Sequence, residues 1–362
     1  MAFETREEKN LSAIAPALLR WYGRNARTLP WRVGPKDLKS GAAPDPYHVW
    51  LSEIMLQQTT VATVVTRYGE FLERWPNVVV MAATPLDDIL GAWAGLGYYA
   101  RARNLHKCAV VVASDHGGEF PDREEALRAL PGIGDYTAAA IAAIAFNQRA
   151  VVVDGNIERV VSRIIAIETP LPAAKPIIKQ YTNYIWPKAR SGDFAQGLMD
   201  LGAGVCRPKA PSCSSCPISS HCDAYARGEP GRFPVKAPKK PKPIRTGVVF
   251  ALRNRKGEIL FERRPDKGLL GGMLGLPGTD WLVEQGRAGP GAGDAFTKTT
   301  WKKTGSITHI FTHFHLTLEV YVGVAPKGFR RSSNQQWIAP AKARLPTVMK
   351  KAVELVVEKS KR

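Results

Sequence analysis

This chain of 362 residues has no long hydrophobic run. A helix that crosses a bilayer needs about 20 consecutive apolar residues, and no stretch approaches that. The opening residues, MAFETREEKN, lack the basic-then-apolar order of a secretory signal and the acid-poor character of a transit peptide. A soluble intracellular chain without a membrane partner is the expectation. Acid is also scarce. Asp and Glu number 32 against 51 Lys and Arg, a formal net charge of +19, which points to a polyanionic partner such as nucleic acid. Solubility alone rarely needs such an excess. Cysteine is scarcer still: there are five, an odd number, and four of them fall between 206 and 222. That is a poor disulfide framework and a good metal site.

What is present is enough apolar residue, 44%, for globular folding throughout. A length of 362 residues exceeds one ordinary compact core and implies two domains. Helical spacing dominates the first part. Residues 11–24, LSAIAPALLRWYGR, make an amphipathic helix before LPWR at 29–32. DPYHVWLSEIMLQQTTVATVVTRYGEFLERW reads as two helices parted near Gln57 to Thr60. Glu53 lies three residues after Trp50 and four before Gln57, so the three share a face. A lone Glu on a helix is usually a solvated charge. Farther on, PLDDILGAWAGLGYYARARNLHKCA places Gly95, Gly97, Tyr98 and Tyr99 in a turn before a basic helix.

The stretch that organises the chain is LPGIGDYTAAAIAAIAFNQRAVVVDGNIER, Leu130 to Arg159. Pro131, Gly132 and Gly134 break one helix, and glycine lets a backbone approach a ligand without a Cβ in the way. A second helix, rich enough in alanine to demand close packing, begins at once. Its first N–H groups form an anion site of the kind that grips a phosphate and reads no base. An ordinary helix-turn-helix corner has the same pattern. After AVVVD the chain is helical again, which makes Asp154 an N-cap candidate.

The order of hairpin, alanine-rich helix, apolar run, Asp and next helix resembles the helix-hairpin-helix family of DNA base-excision glycosylases. WLSEIMLQQT is similar to the signature of their MutY-type adenine glycosylases. The resemblance implies a multidomain chain: an all-α helix-hairpin-helix glycosylase domain at 1–230, with two lobes and the site between them. A Pro/Lys-rich linker, extended and near DNA, would occupy 231–245, and a Nudix-like α/β domain 246–362. It implies Glu53 as general acid and Asp154 as stabiliser of developing positive charge, oriented by Tyr136 and Asn156. Trp31 and Arg32 would wall the base pocket, and Asp200 would help form it unless it is only a salt-bridged or capping acid. Gln58 and Tyr98 would insert between base pairs, Gly132 and Gly134 would hold the backbone, and Arg101 and Arg103 would meet phosphates. Bifunctional relatives carry a Schiff-base lysine where this chain has Tyr136, so a monofunctional enzyme is implied. The substrate would be double-stranded DNA with adenine opposite 8-oxoguanine or guanine, bound by a monomer in the cytoplasm at the nucleoid. A non-catalytic iron–sulfur protein that senses DNA damage fits the charge equally well, but has no use for two carboxylates beside a polyanion.

Cys206, Cys213, Cys216 and Cys222 are spaced C-x6-C-x2-C-x5-C. Four thiolates suit tetrahedral zinc or an iron–sulfur cluster, and the spacing resembles that of the 4Fe-4S cluster in endonuclease III and MutY families. From 246 on, TGVVFALRN, EILFERR and HIFTHFHLTLEVYVGVA read as β-rich runs, with a final helix near 346–358 and a mostly antiparallel sheet. LFERRPDKGLLGGMLGLPG resembles a Nudix opening, but the residues after Gly278 lack the glutamate cluster of a metal-dependent hydrolase. Phe311, Thr312 and His313 stand where MutY proteins present Phe-Ser-His to 8-oxoguanine, although the run also alternates well enough to be a plain strand.

Overall fold

Ile14, Leu18 and Tyr22 recur at four-residue spacing, and in the computed structural model they form the buried stripe of helix α1 (Ile14–Asn25). The described residues are 11–238, 241–265, 268–283 and 299–358. They fall into two units, Met1–Pro238 and Lys239–Arg362. In the first, α2 (Pro46–Leu56) starts on the Asp45 cap, with Pro46 at a position where a missing N–H does no harm. The chain turns through 57–60 and enters α3 (Val61–Arg74), capped by Thr60. Helix α4 (Ala100–Asp115) follows the glycine turn, and α5 (Glu124–Ala129) leads into the hairpin.

Alanine dictates how α6 (Asp135–Phe146) packs. Residues Thr137 through Ala143 are all buried, and α8 (Ser191–Asp200) approaches so closely that a Cβ on Gly192 would lie 2.7 Å from the Ala143 carbonyl oxygen. Helix α7 (Gly155–Ile164) lies between them in sequence. Helix α1 packs on α8, so the chain's beginning closes onto residues some 170 positions later.

The segment expected to be an extended linker at 231–245 is only partly one. Phe233 is buried with Ala166 and Ala224, its carbonyl accepts from Arg163 Nε at 3.1 Å, and Leu171 N donates to Val235 O. One aromatic ring with an apolar niche outweighs the polar composition around it, and the chain is tied to the first unit as far as 236.

The second unit is a mixed sheet ordered β3-β2-β1-β6-β5, with β4 and β7 pairing β1 and β2. Its strands are β1 (Ile244–Arg253), β2 (Ile259–Arg263), β3 (Leu274–Gly275), β4 (Leu282–Val283), β5 (Lys302–Ile310), β6 (His315–Val324) and β7 (Gln335–Ile338). Most pairs are antiparallel, but the central β1 and β6 run parallel along their whole length. Helix α9 (Thr347–Glu358) packs Val348, Met349, Ala352 and Val356 on the sheet. The run 309–325 is not one strand. It bends at 311–314 into a hairpin between β5 and β6, closed by Phe311 N donating to Phe314 O at 2.9 Å. Phe311 stacks on Phe314 at 4.8 Å, so the turn is held by rings that alternation alone cannot distinguish from strand residues. Residues 284–298, part of the stretch after Gly278, lie outside the described residues.

Candidate active site

Glu53 projects from the last turns of α2 into a cavity of about 580 Å³. Residues far apart in sequence line it: Trp31 and Arg32 from the segment after α1, Gln57 and Gln58 from the turn after α2, Tyr136 from α6, and Asp154 and Asn156 at the start of α7. Only 7% of Glu53 is exposed. Burial raises its pKa to about 7; the Tyr136 hydroxyl, donating to it, opposes the rise, the Asp154 charge adds to it, and Arg32 opposes it. The Tyr136 phenol is itself held well above its usual range, first by burial and then by the two carboxylates. It stays a neutral donor.

Asp154 is the N-cap of α7 and also faces the cavity. One oxygen accepts from the N–H groups of Asn156 (3.0 Å) and Ile157 (2.7 Å), and the other from Asn156 Nδ2 at 2.9 Å. Asn156 is held in turn by Arg159, which donates to Asn156 Oδ1 at 2.9 Å, to Gly202 O and to Cys206 O. The backbone after α8 is a π-helical turn, Leu201–Val205, in which a Cβ on Gly202 would come within 2.6 Å of Asn156 Cβ. Glycine is required there by the close approach.

Asp200 does not reach the cavity wall. Its side chain is fully buried behind it, accepting from Arg27 N and Nε at 3.0 and 2.5 Å and from Arg32 Nη1 at 2.8 Å. It is a salt-bridged acid, and because Arg27 and Arg32 line the cavity, it also supports the pocket from behind. Arg101 is a correction. It is 8% exposed and both of its Nη atoms donate to protein oxygens, so it is not a phosphate contact; burial lowers its pKa to about 10.

Tyr98 and Gln58 are both exposed, and both hold the left-handed backbone region that non-glycine residues avoid, with φ of 49° and 56°. Gly132, at φ 77°, packs so that a Cβ would meet Asn104 of α4 at 2.6 Å. Gly134 caps α6 and has open space around it, as an approach to a backbone needs. Phe311, Thr312 and His313 lie at the hairpin tip of the second unit, with Thr312 and His313 exposed.

Cys206, Cys213, Cys216 and Cys222 surround one small cavity with Arg163, and none is in a disulfide. Burial pushes the Cys216 thiol up to about 12 and raises Cys213 and Cys222. Thiols of this kind ionise only when metal charge compensates them. Among the described residues no three Cys, His, Asp or Glu side chains meet around a single ion. Four thiol side chains lining one cavity are a donor set of the kind that zinc or an iron–sulfur cluster takes.

The chain matches the HhH-GPD superfamily base excision DNA repair protein family over residues 51–187 and the NUDIX domain family over 248–355. It is 35% identical over 387 residues to the adenine DNA glycosylase of Homo sapiens, an alignment spanning 89% of this chain and 69% of that protein. The chain belongs to the adenine DNA glycosylase family. The enzyme of that name from Mus musculus is 34% identical over 96% of this chain and 78% of its own length, and one from Buchnera aphidicola subsp. Baizongia pistaciae is 36% identical over 70% of each. Among solved structures, a thermostable thymine-DNA glycosylase superposes with a TM-score of 0.55 at 30% identity, covering 62% of this chain and all of that one. An endonuclease III–DNA complex at 21% identity, TM-score 0.50, covers 61% of this chain and 97% of that one and shares the fold.

In this adenine glycosylase family member the cavity is also lined by residues given no role in the motif reading. Arg27, Ser52, Gln196 and Met199 also line the wall. Gln196 is 3% exposed and its Oε1 has no hydrogen-bond partner among the described residues. Ser52 comes with Glu53 on α2, whereas no local spacing signals Arg27, Gln196 and Met199, which the packing of α1 on α8 brings to the cavity.

Proposed function

We propose that this protein is a monofunctional adenine DNA glycosylase that extrudes adenine opposite 8-oxoguanine or guanine from duplex DNA and hydrolyses its bond to the sugar. The observation that carries the reading is the convergence of Glu53 and Asp154 on one cavity, with Tyr136 between them in role. Adenine leaves poorly as an anion. Glu53, with a pKa near 7, keeps a protonated fraction at neutral pH, and in that form it delivers the proton to adenine, at N7. The bond to the sugar then lengthens and positive charge grows on the anomeric carbon and ring oxygen. Asp154, fixed by two backbone N–H groups and Asn156, stabilises that charge or traps it briefly as an adduct, as in two-carboxylate glycoside hydrolysis. Water supplies the hydroxyl that replaces adenine, and the proton it sheds returns to the Glu53 carboxylate. Trp31 and Arg32 offer a flat aromatic and a planar cation to the extruded purine, while Gln58 and Tyr98 fill the stack.

Cys206, Cys213, Cys216 and Cys222 would hold a 4Fe-4S cluster, which when bound would cross-link the 206–222 loop. The reading takes a monomer on DNA in the cytoplasm, at the nucleoid. Incubation with duplexes carrying adenine opposite 8-oxoguanine, guanine or thymine, followed by alkali, tests it: alkali-labile sites should appear with the first two, and their absence would favour a non-catalytic DNA-binding protein.

A pH profile gives a second check. The acid must be protonated, so single-turnover release should decline as pH rises through about 7, the value at which Glu53 loses its proton. A rate that climbs across that range would remove Glu53 as the acid. Tyr136→Lys should place an amine near the anomeric carbon, so that borohydride traps an enzyme–DNA adduct. The parent should trap none, and a lysine-dependent adduct in the parent would contradict monofunctional chemistry. At the hairpin tip, Thr312→Ser should be nearly neutral. Thr312→Val keeps the shape without the hydroxyl and should weaken discrimination of 8-oxoguanine from guanine by about 0.5–1.5 kcal/mol. An unchanged ratio of excision rates for the two duplexes would mean that this hydroxyl does not read the lesion.

A further inference from the structure

The two segments proposed to enter DNA are not independent. Gln58 lies in the turn that follows α2, and Tyr98 lies at the end of the glycine turn before α4. They lie 40 residues apart in sequence, on separate loops, and each has a positive φ that its own residue type does not favour. A strained, exposed conformation persists only where surrounding bonds determine it.

One side chain supplies bonds to both loops. Arg101 Nη1 donates to the carbonyls of Ile54 (3.0 Å) and Met55 (2.9 Å), which the end of α2 leaves without helical partners. Arg101 Nη2 donates to Thr59 Oγ1 at 3.1 Å, immediately after Gln58, and to the carbonyls of Leu96 (2.7 Å) and Gly97 (3.2 Å), immediately before Tyr98. Its guanidinium also lies 5.1 Å from the Trp93 ring centroid and 5.7 Å from that of Tyr98. Only a planar fork of fixed geometry reaches oxygens on both loops while stacking on a ring. A lysine ammonium is a single point and serves one side or the other.

We infer that Arg101 is a positioning residue that holds the Gln58 and Tyr98 turns in one fixed relation, so that both side chains enter the duplex as a unit. The inference rests on the proposed base-extruding reaction. It makes the register between the two insertions a property of one buried guanidinium and leaves the chemistry to Glu53 and Asp154, which Arg101 does not touch.

The test uses the full-length protein and a duplex with 2-aminopurine beside an adenine paired with 8-oxoguanine. The target adenine carries a 2′-fluoro sugar where binding alone is read. Unstacking by the parent raises the fluorescence. Arg101→Lys should cut that rise and slow single-turnover excision from the unmodified duplex by at least about tenfold, while binding to undamaged duplex stays close to parental. In a Gln58→Ala, Tyr98→Ala background the same change should have almost no further effect, because both wedges are already gone. Thr59→Val, which removes a single bond on the Gln58 side, should produce the same signature more weakly, and it decides the matter if Arg101→Lys does not fold. An undiminished fluorescence rise, or losses that simply multiply in the combined variant, overturns the inference. A parent protein that neither raises fluorescence nor excises adenine overturns the proposed reaction instead.

Discussion

Glu53→Gln should bind the mismatched duplex as the parent does and release almost no adenine. The amide fills the same space in the cavity and still accepts from Tyr136, but has no proton to give. Losing a general acid lowers the rate on the order of 100-fold or more. Asp154→Asn should lose a comparable amount for a different reason: the N-cap survives, since Asn also accepts from the Asn156 and Ile157 N–H groups, but the negative charge opposing the sugar cation is gone. Stability should move the other way. The folded state raises the Glu53 pKa to about 7, so it binds this proton more tightly than the unfolded chain does. Stability is therefore lost as pH climbs from the usual carboxylate range through about 7, and the full penalty is present above that. At pH 8 Glu53→Gln should be the more stable protein, by an amount on the order of 1–3 kcal/mol. Parental excision by Glu53→Gln, or a melting temperature at pH 8 below the parent's, would count against a buried catalytic acid.

Asp200→Ala should be the most destabilising change in the site region. The carboxylate is the shared acceptor for Arg27 and for Arg32, whose own side chain is 8% exposed. Removing it strands a guanidinium in the protein interior, and breaking a buried pair from one side costs about 3–5 kcal/mol. The same loss frees the segment that carries Trp31, so the base pocket loses its wall and excision falls together with stability. Asp200→Asn keeps an acceptor and should sit between the two. Urea unfolding and single-turnover excision on all three proteins separate these effects. A change below about 0.5 kcal/mol for Asp200→Ala, the size of an ordinary surface substitution, would show that water replaces the carboxylate and that the pair is not structurally closed.

Sequence by itself determined the parts whose chemistry depends on residue type at short spacing. The hairpin, the four cysteines between 206 and 222 and the order of a helical unit before a sheet follow from local pattern, while Glu53 within WLSEIMLQQT and Tyr136 and Asp154 behind the hairpin stand out through the family resemblance of the stretches that carry them. Glycine breaks, alanine-rich periodicity and thiol spacing are local constraints, so they survive as readable signals. Tertiary structure alone decided which polar groups are buried together. Asp200 holds Arg27 and Arg32 across 173 and 168 residues, Gln196 reaches the cavity wall from α8, and Arg101, basic and on a helix after a glycine turn, faces inward to two loops instead of outward to phosphate. The strand β5 and the bend at 311–314 belong to the same class, because stacked phenylalanines and cross-strand partners close the hairpin, and neither shows in the alternation of one strand. Burial sets whether a charge is solvated, paired or shifted in pKa, and burial is a property of the whole packed unit: the rise of Glu53 to about 7 exists only once α2, α6 and α7 have enclosed it.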